Sequence, residues 1–347
     1  MTPLPLISII IPTMRRPVPL DLAARSALAQ IAPGVRIELV IVDNDPEGSA
    51  RNQVKALAQS TTAPVRYVHA AEPGVANARN AGVTASKGVF IAFLDDDEEA
   101  PAGWLEALLV AQARFEADAV FGPVRARAPD AMVRHRDYLL GFFSRFGPDD
   151  ACTIMDGPGC GCSLVRRDAL PDQITPFSPT RNGIGGEDDL LFAQMKTMGA
   201  RFAWAPDAWV WEDPDPRRLT LDYTLKRAFA YGQGPNSAAL ARGPKGWSAI
   251  PVWTAIGAAQ LVLHGGMAGV RALVGSPLLA QSLDRAARGL GKMLWFPPFK
   301  IGFYGQAALD RQIRAEAADR AGVPSQDVPQ PETPHVSHHP LDARAVG

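Results

Sequence analysis

The chain is poor in cysteine, has no surplus of either charge, and contains no apolar run long enough to cross a bilayer. Only Cys152, Cys160 and Cys162 occur among 347 residues. An odd, small number in so long a chain argues against a disulfide-stapled secreted fold and fits a reducing compartment. The Cys160-Gly161-Cys162 pair has no second cysteine pair or nearby histidine to complete a tetrahedral zinc set, so these cysteines read as structural. The formal net charge of −1 removes any global attraction to nucleic acid, and no nucleic-acid partner is expected. Any anionic ligand must then be met by local groups. The N-terminus lacks the basic start and long apolar stretch of a signal peptide. The runs Leu6 to Ile11 and Ile250 to Leu263 fall short of the roughly 20 residues a span needs. A cytoplasmic protein is expected.

Hydrophobic residues make up 47% of the chain and charged residues 20%, enough for a sizeable core. The first half alternates two signals. Leu6 to Ile11, Ile37 to Val42, Val65 to Val68 and Val89 to Leu94 are apolar runs of strand type. Leu20 to Gln30 and Val75 to Ala85 are rich in Ala and Leu and read as helices. Continuous apolar strands alternating with helices predict an α/β fold, a mainly parallel sheet covered on both faces. Ligands of such sheets collect at the carboxyl ends of the strands.

Further on, Pro101 to Glu116 and Asp188 to Met198 carry helical periodicity. Ala119 to Val124, Phe202 to Trp204 and Ala208 to Trp211 suit strands. Leu221 to Tyr231 is helical in period. Beyond about Gly243 the chain becomes apolar with scattered Lys, Arg and aromatic residues, up to a patch from Met293 to Tyr304. Two readings stand side by side: helices at a membrane interface, or helices packed on the preceding domain. The expected division is a catalytic domain over 1–243, a helical segment over 244–310 and a disordered tail over 311–347.

The chemistry concentrates at Asp95-Asp96-Asp97-Glu98-Glu99, directly after a strand. Five adjacent carboxylates repel one another unless a cation or hydrogen-bond donors offset them. Mg²⁺ or Mn²⁺ shared with a diphosphate meets that need. An acidic turn preceding a helix would have the same composition. Alternation along an extended chain would point Asp95 and Asp97 one way and Asp96 the other. Other strand ends add Pro12-Thr13, Asp43 and then Arg79, a planar cation suited to a base or phosphate.

Taken in order, Ile9-Ile10-Ile11-Pro12-Thr13, Val42-Asp43-Asn44, Gly74 to Gly82, Phe93-Leu94-Asp95-Asp96-Asp97 and Gly186-Glu187-Asp188 resemble the family 2 inverting glycosyltransferases of the GT-A fold. The resemblance covers residues 5–235. It implies nucleoside contacts from Pro12, Thr13, Asp43 and Arg79, and a ribose-side carboxylate at Asp96. It implies a divalent metal on Asp97, with Asp95 close to both metal and nucleotide. Asp188 is the implied general base, with Glu187 beside it; a helix N-terminus favours a negative charge there.

Two positions depart from the pattern. Glu212 stands where many relatives place a metal-binding histidine, and Cys162 where many have asparagine. The pattern of Glu212, Arg217 and Arg227 to Gly232 resembles bacterial exopolysaccharide glucosyltransferases.

The expected activity is transfer of a hexose, glucose first, from a UDP-sugar to a glycan or lipid-linked acceptor at the inner face of the cell membrane. The alternatives are a nucleotidyltransferase and a non-catalytic sugar-nucleotide-binding relative. Pro12-Thr13-Met14-Arg15-Arg16-Pro17 lacks the glycines of a nucleotidyltransferase loop, and the absence of G-x-G-x-x-G at this place excludes a dehydrogenase.

Overall fold

A computed structural model of the chain describes residues 4–128, 134–182 and 185–301. The expected tail, residues 302–310 of the helical segment and Tyr304 of the aromatic patch lie outside the described residues. In chain order the elements are β1 (Leu6–Thr13), α1 (Pro17–Leu28), β2 (Arg36–Asp43), α2 (Arg51–Gln59), β3 (Val65–His69), α3 (Val75–Ala85), β4 (Phe90–Phe93) and β5 (Glu98–Glu99). Then follow α4 (Trp104–Phe115), β6 (Ala119–Phe121), β7 (Val124–Ala126), α5 (Arg136–Phe143), β8 (Cys152–Ile154) and β9 (Ser163–Arg166). The remainder is α6 (Glu187–Thr197), β10 (Phe202–Trp204), β11 (Val210–Glu212), α7 (Leu221–Ala241), α8 (Pro244–Trp247), α9 (Ala249–Leu273) and α10 (Leu279–Met293).

Eight strands form one mixed sheet in the order β3-β2-β1-β4-β9-β6-β10-β8. The β3-β2-β1-β4 half is wholly parallel. Beyond it, β9 runs antiparallel to both β4 and β6, and β8 antiparallel to β10. A small second sheet, β5-β11-β7, stands at the ligand end.

The reason β1 tolerates five buried residues in a row, Ile7 to Ile11, is that both faces of the sheet are covered. Ile7, Ile9 and Ile11 enter the core formed with α1 and α4, while Ile10 enters the one formed with α3 and α6. The period of two divides the strand between two cores. Ser8 is the polar interruption, and its hydroxyl donates to buried Glu38 at 2.6 Å while accepting from the Gly88 N–H at 2.7 Å. α3 lies close on the sheet because Gly82 has no side chain; a Cβ there would sit 2.5 Å from Ile10.

Three expectations need correction. The predicted strand Ala119 to Val124 is two strands in two sheets, since the chain leaves the main sheet after Phe121 and Gly122 is pressed against the Ala208 carbonyl. Pro101 precedes its helix, which starts at Trp104 after left-handed Gly103. The apolar stretch near Ile250 belongs to a 25-residue helix, α9, long enough by length and composition to cross a membrane. The length expectation failed because Gly, Ala and His within the helix dilute its apolar run without breaking it.

Candidate active site

The parallel strands deliver Thr13, Asp43 and the Asp95–Asp97 turn to the same edge of the sheet. Thr13 and Asp43 are register partners, and Leu94 directly follows β4. Pro12 is half-buried beside Val42.

The acidic triplet is a turn, closed by the Glu98 N–H donating to the Asp95 carbonyl at 3.0 Å. Turning the chain overrides the expected alternation. Asp96 and Asp97 face the same guanidinium, that of Arg16, at 2.6 and 3.0 Å, and Asp97 also meets Arg218 at 3.6 Å. Asp95 points elsewhere, to Arg79 at 3.2 Å. The Thr13 hydroxyl donates to Asp96 at 2.7 Å. Asp96 is buried, and burial first, then the neighbouring Asp97, raises its pKa to about 7 against the pull of Arg16.

Two further carboxylates complete the cluster. Glu98 is buried, accepts from the Asp95 N–H at 2.9 Å, and is raised by burial and by the charge of Asp95. Glu212, at the end of β11, is raised to about 8 by burial and by Asp97. Arg217, close in sequence to Glu212, is paired with Asp215. Burial is the first cause of each rise and a neighbouring carboxylate the next that adds to it. The cluster gathers more acids, Asp95, Asp96, Asp97, Glu98 and Glu212, than the arginines paired with its turn, Arg16, Arg79 and Arg218.

That surplus is the observation bearing on a metal. The donors are all carboxylate oxygens, the set that Mg²⁺ and Mn²⁺ prefer, and such ions are commonly held by one or two carboxylates plus phosphate oxygens. Among the described residues no group of three metal-ligating side chains is assembled as a cage. The donor chemistry therefore fits an ion shared with a ligand rather than one held by the protein alone. Asp97 is now engaged by Arg16 and Arg218, and Asp95 by Arg79, so the two carboxylates expected to share an ion are turned to different cations.

Arg79 is buried and bonded to Glu187 as well as Asp95. This is the side chain expected to contact a base or phosphate, and here it meets two carboxylates. Glu187 is likewise committed to this pair, and burial raises its pKa against the field of Arg79. Asp43 is fully buried and organises the following loop: its oxygens accept from the Asp45 and Ala50 N–H groups at 3.1 and 2.8 Å and from the Tyr67 hydroxyl at 3.0 Å.

Asp188 stands in the first turn of α6, half-buried, and accepts from the Cys160 N–H at 3.2 Å and the Asp189 N–H at 2.9 Å. The segment before β9 connects it to the acidic turn. A Cβ on Gly159 would lie 3.5 Å from Asp188, and one on Gly161 would lie 2.9 Å from Asp95 and 2.6 Å from Glu98. These glycines leave room for three carboxylates to converge on a short loop. Arg145 fixes that loop by donating to the Gly122 and Gly161 carbonyls.

Sequence reading named Glu98 within the acidic run without giving it a role, and overlooked Arg16, Arg218 and Arg145 as site residues. Arg16 was visible only as a basic residue after the first strand; its partners lie 80 residues away. Asn182 also escaped notice, although its side chain accepts from the Ala76 N–H of α3 at 2.9 Å and supplies a cap that Gly74 cannot. Cys162 is buried beneath Trp104 and the Ala208 carbonyl, facing the core.

Comparison with known proteins agrees with this geometry. The profile of Glycosyl transferase family 2 matches residues 8–173. The chain is 35% identical over 224 residues to the succinoglycan biosynthesis protein ExoM of Rhizobium meliloti (strain 1021), covering 64% of this chain and 71% of that protein. The crystal structure of GalNAc-T7 with UDP, GalNAc and Mn²⁺ superposes with a TM-score of 0.50 at 14% identity, over 68% of this chain and about half (52%) of that one. That likeness is one of fold. Coverage and identity to the curated relative, on a sheet whose strand ends carry the family motifs, show that the chain belongs to glycosyl transferase family 2 and is a glycosyltransferase.

Proposed function

We propose that the chain transfers glucose from UDP-glucose, with inversion, to a growing lipid-linked glycan in polysaccharide synthesis. The observation that carries this reading is the convergence of Asp188, Asp95 and Glu98 on the Gly159–Gly161 loop, which sets a candidate base beside the acidic donor site. In this reading the acceptor hydroxyl gives its proton to Asp188 as its oxygen bonds to the anomeric carbon of the donor. The bond from that carbon to the diphosphate breaks in the same displacement, and UDP leaves. Thr13 and Asp96 lie on the ribose side, and Asp43 shapes the loop bordering the base.

Arg16 and Arg218 both meet Asp97 of the acidic turn and are suited to the charge that builds on the leaving diphosphate. A divalent ion on Asp97 and Asp95, when bound, supplies further stabilisation of that charge. Residues 1–243 serve as the catalytic domain and the helices from 244 as an accessory segment. The name of the curated relative supports polysaccharide synthesis as the setting.

The test is release of UDP from a panel of nucleotide sugars, with and without Mn²⁺, alongside thermal shift with the same panel. The reading expects UDP-glucose to give turnover that depends on the ion and on Asp188. Turnover unchanged in Asp188→Asn would sink the base assignment, and preference for another nucleotide sugar would replace the donor.

A further inference from the structure

Helix α9 is built inside out. Its polar side chains point into the protein: Gln260 accepts from Lys292 at 3.0 Å, and Arg271 donates to the Leu278 carbonyl at 3.1 Å and to Ser282. Thr254 lies beside Asn236 of α7. The opposite side is apolar along the full helix. Val252, Ile256, Val262, Leu263, Val270 and Leu273 are all exposed, Val262 at 76% and Leu273 at 89%. The other exposed residues from Pro251 to Leu273 are Ala, Gly, Pro and Trp253, while His264 is half-buried. A water-soluble surface helix has the reverse pattern, and monomeric soluble proteins rarely expose so continuous an apolar patch.

The packing behind this face is tight rather than provisional. Gly257 and Gly289 let α9 and α10 touch backbone to backbone, since a Cβ on either would come within 2.7 Å of the other's carbonyl oxygen. Gly232 and Gly291 do the same between α7 and α10. The outward side of α9 is thus held outward by a close-packed three-helix unit.

The charges nearby have one sign. No Asp or Glu occurs from Tyr223 to Leu283, while Lys226, Arg227, Arg242, Lys245 and Arg271 do. From there to Ile301 the single acid is Asp284, buried and paired with Arg288 at 2.8 Å. Exposed Arg242, Lys245 and Trp247 lead into α9, and exposed Phe296 and Phe299 follow α10 beside Lys300. Cations and aromatics bordering an apolar face are the composition of a bilayer interface.

We propose that α9 is an in-plane anchor that buries its outer face in an anionic lipid surface. Its 25 residues would reach about 38 Å, enough to span hydrocarbon. Crossing is nonetheless disfavoured by its surroundings. α10 covers its polar side, α10 packs in turn on α7, and exposed Arg285 and Lys226 belong to those two helices. Among the described residues one side of α9 is left uncovered for lipid, which defines a helix lying on the membrane. The proposal stands independently of the donor and acceptor chemistry above.

Flotation of the full chain with phosphatidylcholine vesicles, with and without 30 mol% phosphatidylglycerol, tests the contact. The protein is expected to float with the anionic vesicles, less so with neutral ones, and less at high salt. The double variant Val262→Asp, Val270→Asp is expected to stay at the bottom with an unchanged melting temperature and an unchanged thermal shift with UDP. No flotation of the wild type would overturn the proposal. So would a lipid-free dimer, seen by light scattering, that the double variant dissolves while the wild type binds no vesicles. For the in-plane geometry, Ser248→Cys and Pro277→Cys bracket α9. On vesicle-bound protein, an impermeant maleimide added outside should label both above the wild-type background; protection of one alone would mean a spanning helix.

Discussion

At the strand ends of the main sheet, charged groups are buried; on the outer side of α9, apolar groups are exposed. Each region departs from the usual sorting of side chains, and in opposite directions. Near β4 much of the departure is offset internally, Arg16 meeting Asp96 and Asp97 and Arg79 meeting Glu187 and Asp95, with acids left in excess. On α9 no protein group among the described residues offsets it, and Val262 and Leu273 stay 76% and 89% exposed. The lesson is that a cluster satisfied from within constrains the fold, whereas one left unsatisfied says what must come from outside.

Substitutions can sharpen that contrast. The largest effect is expected from Asp188→Asn, which should lower transfer by about 10²- to 10⁴-fold while leaving the thermal shift with UDP in place; steady-state UDP release reads the first and melting curves the second. Arg79→Ala should be the most damaging to the fold, costing about 3–5 kcal/mol because it strands Glu187 and Asp95 without their cation, as measured by denaturant unfolding. A smaller Arg79→Ala effect would show that these acids simply take up protons.

Next comes Leu105→Ala, a fully buried side chain between α4 and the sheet, at about 2–5 kcal/mol. Smallest is Val262→Ser on α9, expected to stay within about 0.5 kcal/mol in lipid-free buffer. An equal loss at Leu105 and Val262 would erase the contrast, since it would mean the outer face of α9 is packed in solution.

Much of this was legible in the sequence for a simple reason. The strands β1, β2 and β4 are continuous apolar runs, so their ends, and the Thr13, Asp43 and Asp95 that follow, announce themselves. The helix carrying Asp188 shows its period and its acidic start. What stayed hidden depended on the path of the chain between such points. Asp95 and Asp97 do not face the same way, because the chain turns where an extended strand was assumed. Nothing local in the sequence announces that Arg79 meets Glu187, 108 residues away. The Ala119 to Val124 run has strand composition throughout, and nothing local says that it changes sheets at Gly122.

The sequence by itself determined the sheet, the inventory of carboxylates at its ligand end and the helical character of the C-terminal part, because these follow from residue type and period. It also supplied the motifs by which the family was recognised. The tertiary structure decided which cation each acid meets and which side of α9 looks outward. Both are questions of what lies across a gap between distant segments, and a helix with apolar and polar sides has the same sequence whichever side it turns to its neighbours.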